Sequence, residues 1–126
     1  MDTLLDSADA QRLFVRWVPM PRGWAGAFHL PSRTIYLREG MSERAAVPTL
    51  MHELQHAARG DNGHQTRPVE ARIDRQVACR LVTDTEYQAA EALVGPHPGA
   101  LAVELDVPRW VVVAYRETLR RHKIVA

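Results

Sequence analysis

The stretch His52-Glu53-Leu54-Gln55-His56 decides how this chain is interpreted, because it sets two imidazoles and one carboxylate at helical spacing. Residues four apart lie on one face of an α-helix, so His52 and His56 can bind the same metal ion. Glu53 directly follows the first histidine and is better placed to hold a water molecule beside that ion. The pattern predicts a helix that carries two zinc ligands and a general base.

A zinc site that supports hydrolysis has three protein ligands and one open position. The downstream candidates for the third ligand are Asp61, His64, Glu70 and Asp74. Glu70 and Asp74 lie four residues apart on a stretch that predicts a helix over residues 68–82, so they share one face. We favour Glu70 as the third ligand and Asp74 as the carboxylate that accepts the free N–H of a zinc-bound histidine.

His64 does not complete the three-histidine arrangement H-E-x-x-H-x-x-G-x-x-H. Arg59 and Asn62 stand where that arrangement has its glycine and its third histidine. His64 instead belongs to a polar loop, residues 60–64, and we expect it to be either solvated or on the substrate side of the site.

The segment from Trp24 to Val82 resembles the ImmA/IrrE family of small, gluzincin-like metallopeptidases. The family's motif helix carries H-E-L-G-H, which His52, Glu53, Leu54 and His56 match, with Gln55 in place of the glycine. Glu70 and Asp74 match the glutamate and the polar residue four positions later on the family's next helix.

The resemblance implies a zinc metalloendopeptidase with one Zn²⁺ per chain. In such an enzyme Glu53 takes a proton from water and returns it to the leaving amine. The implied substrate is a protein partner, such as a helix-turn-helix repressor of a phage or mobile element.

Two other classes of function stay open. One is a zinc-containing interaction module that binds a partner without cutting it. The other is a DNA-binding regulator that uses the C-terminal helices. The helix that would read DNA begins Trp110-Val111-Val112-Val113, an apolar start suited to packing rather than to base edges, so we do not expect DNA binding.

Periodicity along the chain predicts an α+β fold, and the chain length predicts a single domain over residues 1–126. A short antiparallel three-stranded sheet would pack on a helical bundle that includes the motif helix. Alternating apolar residues predict strands at 13–18, 24–30 and 34–37. The predicted helices are 2–12, 48–59, 68–82, 85–94, 99–105 and 108–122. Ser42 could cap an irregular turn that precedes the second of these helices.

The third predicted strand, Thr34-Ile35-Tyr36-Leu37, directly precedes the motif helix. If it lies at the edge of the sheet, an extended substrate can pair with it by β-augmentation. A hydrogen-bond donor to the substrate oxyanion is also expected, and spacing does not choose among the candidates Tyr36, His64, Tyr87, His97 and Tyr115.

Composition predicts a soluble cytoplasmic protein. The 126 residues are 46% hydrophobic and 25% charged with a net charge of +1, which gives no strong attraction to nucleic acid. The single cysteine excludes an internal disulfide, and the acidic N-terminus does not fit a signal peptide. The longest apolar run, residues 110–115, is too short to cross a membrane.

Overall fold

The computed structural model describes the backbone of residues 1–125 and the side chains of residues 1–122. This range contains six helices and three strands, so the predicted α+β class is confirmed. In chain order the elements are α1 (Asp2–Ala10), β1 (Phe14–Val18), β2 (Gly26–His29), β3 (Thr34–Arg38), α2 (Glu43–Arg59), α3 (Arg67–Leu81), α4 (Asp84–Val94), α5 (Pro98–Leu105) and α6 (Arg109–Val125).

The chain divides into two compact units, residues 1–70 and 71–126. The first contains α1, the sheet, α2 and the first residues of α3; the second contains the rest of α3 and helices α4–α6. The single domain predicted from chain length stays a prediction.

The sheet is mixed, whereas the sequence predicted an antiparallel one. Its strand order is β1-β3-β2; β3 runs antiparallel to β2 and parallel to β1. Successive strands reverse direction along the chain, so β1 and β3 point the same way. They become neighbours because β3 lies between β1 and β2, and that pairing is therefore parallel.

The central position of β3 also overturns the prediction for Thr34–Leu37. Their backbone pairs with β1 on one side and with β2 on the other, so this strand has no open edge for an extended substrate. Thr34, Ile35 and Leu37 are buried, as expected of a central strand. The two edges of the sheet belong to β1 and β2.

Helix α2 begins earlier than predicted. Ser42 is its N-cap, and its hydroxyl accepts a hydrogen bond from the Ala45 backbone N–H. Pro48, predicted to open the helix, lies inside it, where proline lacks the N–H for the bond to the preceding turn. The predicted end is confirmed, since Gly60 follows the last turn in the left-handed conformation with φ 77°.

One face of the sheet packs against α2 and forms the core of the first unit. Leu50 of α2 belongs to the same buried cluster as Phe28, Ile35 and Leu37. Ile35 and Leu37 are two apart on β3, so their side chains leave the same face. Gly26 pairs with Leu37 and therefore lies on this face as well, beneath α2.

The second unit has its own core, to which the start of α6 contributes. Val111 and Val112 are fully buried within it, which agrees with the packing role predicted for this apolar start. Helix α4 begins at a capping box that the sequence analysis missed, with Thr83 and Glu86 bonding each other's backbone N–H. Among the described residues, no helix is both long and apolar enough to cross a membrane.

Candidate metal centre

His52, His56 and Glu70 come together as predicted. The two histidines project from α2, and Glu70 lies in the first turn of α3. The Nε2 atoms of His52 and His56 are each 3.2 Å from Glu70 Oε1, and His56 Nε2 is 2.8 Å from Oε2. One potential ligand atom from each residue lies within 4.8 Å of the others.

The separations between each histidine and Glu70 Oε1 fit a tetrahedral metal ion. Two ligand atoms that are each about 2.0–2.1 Å from zinc, at the tetrahedral angle, lie about 3.3 Å apart. The observed separations of 3.2 Å are close to that value. His56 is fully buried, while 13% of the His52 side chain and 25% of the Glu70 side chain are exposed, so solvent reaches the cluster at His52 and Glu70.

The histidines also determine the charge of Glu70. Burial by itself would raise the pKa of this carboxyl, but hydrogen bonds and attraction from His56 and His52 outweigh it and hold the pKa below its usual value. Glu70 is therefore ionised at neutral pH, which is the form that binds a metal cation.

Glu53 is a carboxylate beside this cluster and is almost completely buried, with 3% exposure. Burial raises its pKa, although attraction from His52, His56 and His64 opposes the shift. Its Oε1 atom is buried and has no hydrogen-bond partner among the described residues. Such an atom is costly in a folded protein, and this is typical of a group kept for chemistry rather than for stability.

Gly26 explains how Glu53 can lie so close to the sheet. A Cβ atom at position 26 would be 3.3 Å from Glu53 Cγ, 2.8 Å from Thr49 Cγ2 and 3.0 Å from the Tyr36 carbonyl oxygen. Gly26 has no positive φ, so the requirement is close packing rather than backbone conformation. Absence of a side chain at this point of β2 lets α2 bring Glu53 against the strand.

Asp61 is a third carboxylate at the site, and the role described here was not predicted from the sequence. Its Oδ2 atom is 2.9 Å from His56 Nδ1 and 2.7 Å from Arg59 Nε. Burial opposes ionisation, but the hydrogen bonds from His56 and Arg59 lower the pKa of Asp61 below its usual value. A carboxylate that accepts the Nδ1–H fixes the tautomer in which His56 Nε2 is free to bind a metal.

Asp74, predicted to accept an N–H from a ligand histidine, lies in the second unit. That role stays a prediction. The feature of the sequence that could have indicated the role of Asp61 is Gly60. A glycine in the left-handed conformation ends α2 there, so Asp61 comes directly after the helix that carries His56.

Together with Tyr36, His64 is a candidate oxyanion donor within the first unit. Its Nε2 atom is 3.1 Å from the Gly26 carbonyl oxygen, and its ring stacks edge-on with Trp24 at a centroid distance of 4.3 Å. Tyr36 leaves the opposite face of β3 from Ile35 and Leu37, away from α2.

The three remaining donor candidates have other partners within the second unit. Tyr87 and Tyr115 are core residues, and Tyr115 donates a hydrogen bond to Asp84. Burial and this hydrogen bond raise the pKa of Tyr115. His97 caps α5 by accepting a hydrogen bond from the Gly99 N–H.

No protein-family model and no curated protein matches this chain. Its function is therefore inferred from the residues of the metal centre and from the resemblance of its motif.

Proposed function

We propose that this protein is a zinc-dependent metalloendopeptidase similar to the ImmA/IrrE family. The observation that carries the proposal is a buried carboxylate, Glu53, whose oxygen has no partner among the described residues and which lies beside three side chains that could hold a metal ion. A site that only held zinc for structural reasons would have no use for a base in this position. A fourth ligand would complete such a structural site.

Each residue of the centre has a defined task in this proposal. His52, His56 and Glu70 hold the ion, and Asp61 keeps His56 in the tautomer that binds it. Zinc bound there would polarise the peptide carbonyl group and acidify a water molecule. Glu53 accepts the proton of the attacking water at its free oxygen and then donates it to the leaving nitrogen.

The raised pKa of Glu53 suits this cycle. A base whose pKa lies closer to neutral pH than that of a free carboxylate holds a proton long enough to transfer it to the amine. The resemblance indicates a cytoplasmic protein substrate, such as a helix-turn-helix repressor of a phage or mobile element.

Peptidase activity is best tested without assuming a substrate. Zinc-loaded wild-type protein and a Glu53→Gln variant are each incubated with a native cell lysate, and new protein N-termini are identified by mass spectrometry. Glu53→Gln preserves the size of the side chain and removes the base, so we expect zinc content to be unchanged and the new N-termini to disappear. Identical sets of N-termini with both proteins would contradict the proposal and favour a zinc-containing interaction module.

A further inference from the structure

We propose that His64 is a catalytic residue that donates a hydrogen bond from Nε2–H to the carbonyl oxygen of the bound peptide. The proposal rests on the peptidase function above and assigns the donor that the sequence left open. It adds a residue outside the metal ligands and the base.

The approach of both His64 and Glu53 to Gly26 is the first argument. His64 Nε2 approaches the Gly26 carbonyl, and Gly26 is the residue whose missing side chain makes room for Glu53. His64 and Glu53 therefore contact the same residue of β2.

The available proton is the second argument. A carbonyl oxygen only accepts hydrogen bonds, so His64 Nε2 must carry the hydrogen in its contact with Gly26. In an antiparallel pair the residues alternate between bonding the neighbouring strand and pointing outward. The Arg38 N–H bonds the Ala25 carbonyl, so the Gly26 carbonyl points to the outer edge of β2. The Nε2–H group of His64 is thus held at the outer edge of β2, at the residue that Glu53 also approaches. It can exchange the Gly26 carbonyl for the carbonyl oxygen of a bound peptide.

The loop that carries His64 is fixed on both sides, which is the third argument. Before His64, the Gly63 N–H bonds the Phe28 carbonyl, and Asn62 Oδ1 accepts from the Leu30 N–H. After it, the Gln65 N–H bonds Glu70 Oε2, and Trp24 supports the imidazole ring. Donors held in place before the reaction stabilise developing charge most effectively.

The step itself is balanced. As the water oxygen bonds to the carbonyl carbon, its proton moves to Glu53 and the carbonyl electron pair moves onto oxygen. Nε2–H of His64 leaves the neutral Gly26 carbonyl and bonds this oxyanion, a stronger acceptor. The proton on Glu53 then passes to the nitrogen as the C–N bond breaks, and His64 returns to Gly26.

The test uses two small probes and needs no substrate. Inorganic phosphate mimics a tetrahedral oxyanion, whereas acetohydroxamate binds a metal ion through its own two oxygens. Affinities of both are measured by calorimetry for zinc-loaded wild type, His64→Ala and His64→Gln. His29→Ala is the matched control. His29 is an exposed histidine of β2, the strand that His64 contacts, and its Nδ1 bonds Ser32.

We expect His64→Ala to weaken phosphate binding about tenfold, as loss of a hydrogen bond to a charged group does. In His64→Ala the affinity for acetohydroxamate should change less than about twofold, because this probe binds through the metal ion and loses no hydrogen bond to a charged group. His64→Gln, which keeps an N–H donor, should recover part of the loss, and His29→Ala should change neither affinity.

Phosphate affinity that is equal in wild type and His64→Ala would overturn the role of His64 while leaving the metal centre intact. Loss of zinc from His64→Ala would also overturn this role, because it would indicate that His64 is a zinc ligand. Zinc content of the same samples reports on the metal centre separately. Wild type without zinc would overturn both proposals.

Discussion

Gly26→Ala tests whether β2 holds the base in place. The new methyl group would lie 2.8 Å from Thr49 Cγ2 and 3.0 Å from the Tyr36 carbonyl oxygen. Neither contact can relax cheaply. The Tyr36 oxygen belongs to the backbone of the central strand, and Thr49 is anchored by its 2.9 Å hydrogen bond to the Ala45 carbonyl.

The expected magnitude follows from two opposing effects. At an unstrained position, replacing glycine by alanine stabilises a protein by about 0.4–1 kcal/mol, because the unfolded chain loses entropy. Overpacking of a core costs about 1–3 kcal/mol. We therefore expect Gly26→Ala to lower the free energy of unfolding by about 1–2 kcal/mol and to displace Glu53 from the strand.

A second substitution makes the test specific. Thr49→Ser removes Cγ2, the atom closest to the new methyl group, and keeps the hydroxyl that bonds Ala45. Alone it should cost about 1 kcal/mol for a buried methyl group. In the Gly26→Ala background it should cost nothing or restore stability, giving a coupling of about 1 kcal/mol in urea denaturation. Additive effects, or a Gly26→Ala protein as stable as wild type, would refute the packing argument.

Three further predictions concern the carboxylates of the metal centre. Asp61→Ala should weaken zinc affinity about 10–100-fold in a chelator competition, because His56 loses the carboxylate that orients it. Full zinc affinity in that variant would exclude an orienting role for Asp61. Because the pKa of Glu70 and of Asp61 is lowered by folding, their stabilisation is present above the unfolded pKa of about 4 and is lost as the pH falls through their folded values. Metal-free protein should accordingly lose stability below about pH 4 in urea titrations, and a smaller loss is expected for Asp61→Asn. Burial raises the pKa of Glu53, so this carboxyl destabilises the metal-free protein as the pH rises above the pKa that Glu53 has in the unfolded chain. Glu53→Gln should therefore raise the urea midpoint at pH 7. A lowered midpoint would contradict the argument that burial disfavours the charged form of Glu53.

The parts of the site that could be predicted from sequence depend on local geometry. His52 and His56 share a helix face by spacing alone, and Glu70 follows from its place in the first turn of the next helix. Local rules of this kind need no knowledge of the rest of the fold. They also located the end of α2 at Gly60.

Two of the errors, the strand order and the role of Gly26, depend on parts of the chain that are distant in sequence. Strand order depends on which strand inserts between the others, and no local signal near Thr34–Leu37 distinguishes an edge strand from a central one. Pro48 lies inside α2 because Ser42 caps the helix earlier and buried contacts outweigh one missing hydrogen bond. Gly26 could be recognised only once α2 and β2 were seen in contact.

Metal content is the most direct test of the central claim. Protein purified without added metal is loaded with zinc, dialysed and examined by elemental analysis. Glu70→Ala is treated in parallel with a control, Glu39→Ala, which removes an exposed glutamate that does not belong to the His52, His56 and Glu70 group. We predict about one zinc ion per chain in wild type and in the control, as three protein ligands bind one ion, and a loss of most of it in Glu70→Ala. A wild-type protein that retains no zinc, or a Glu70→Ala variant that retains it fully, would contradict the three-ligand centre.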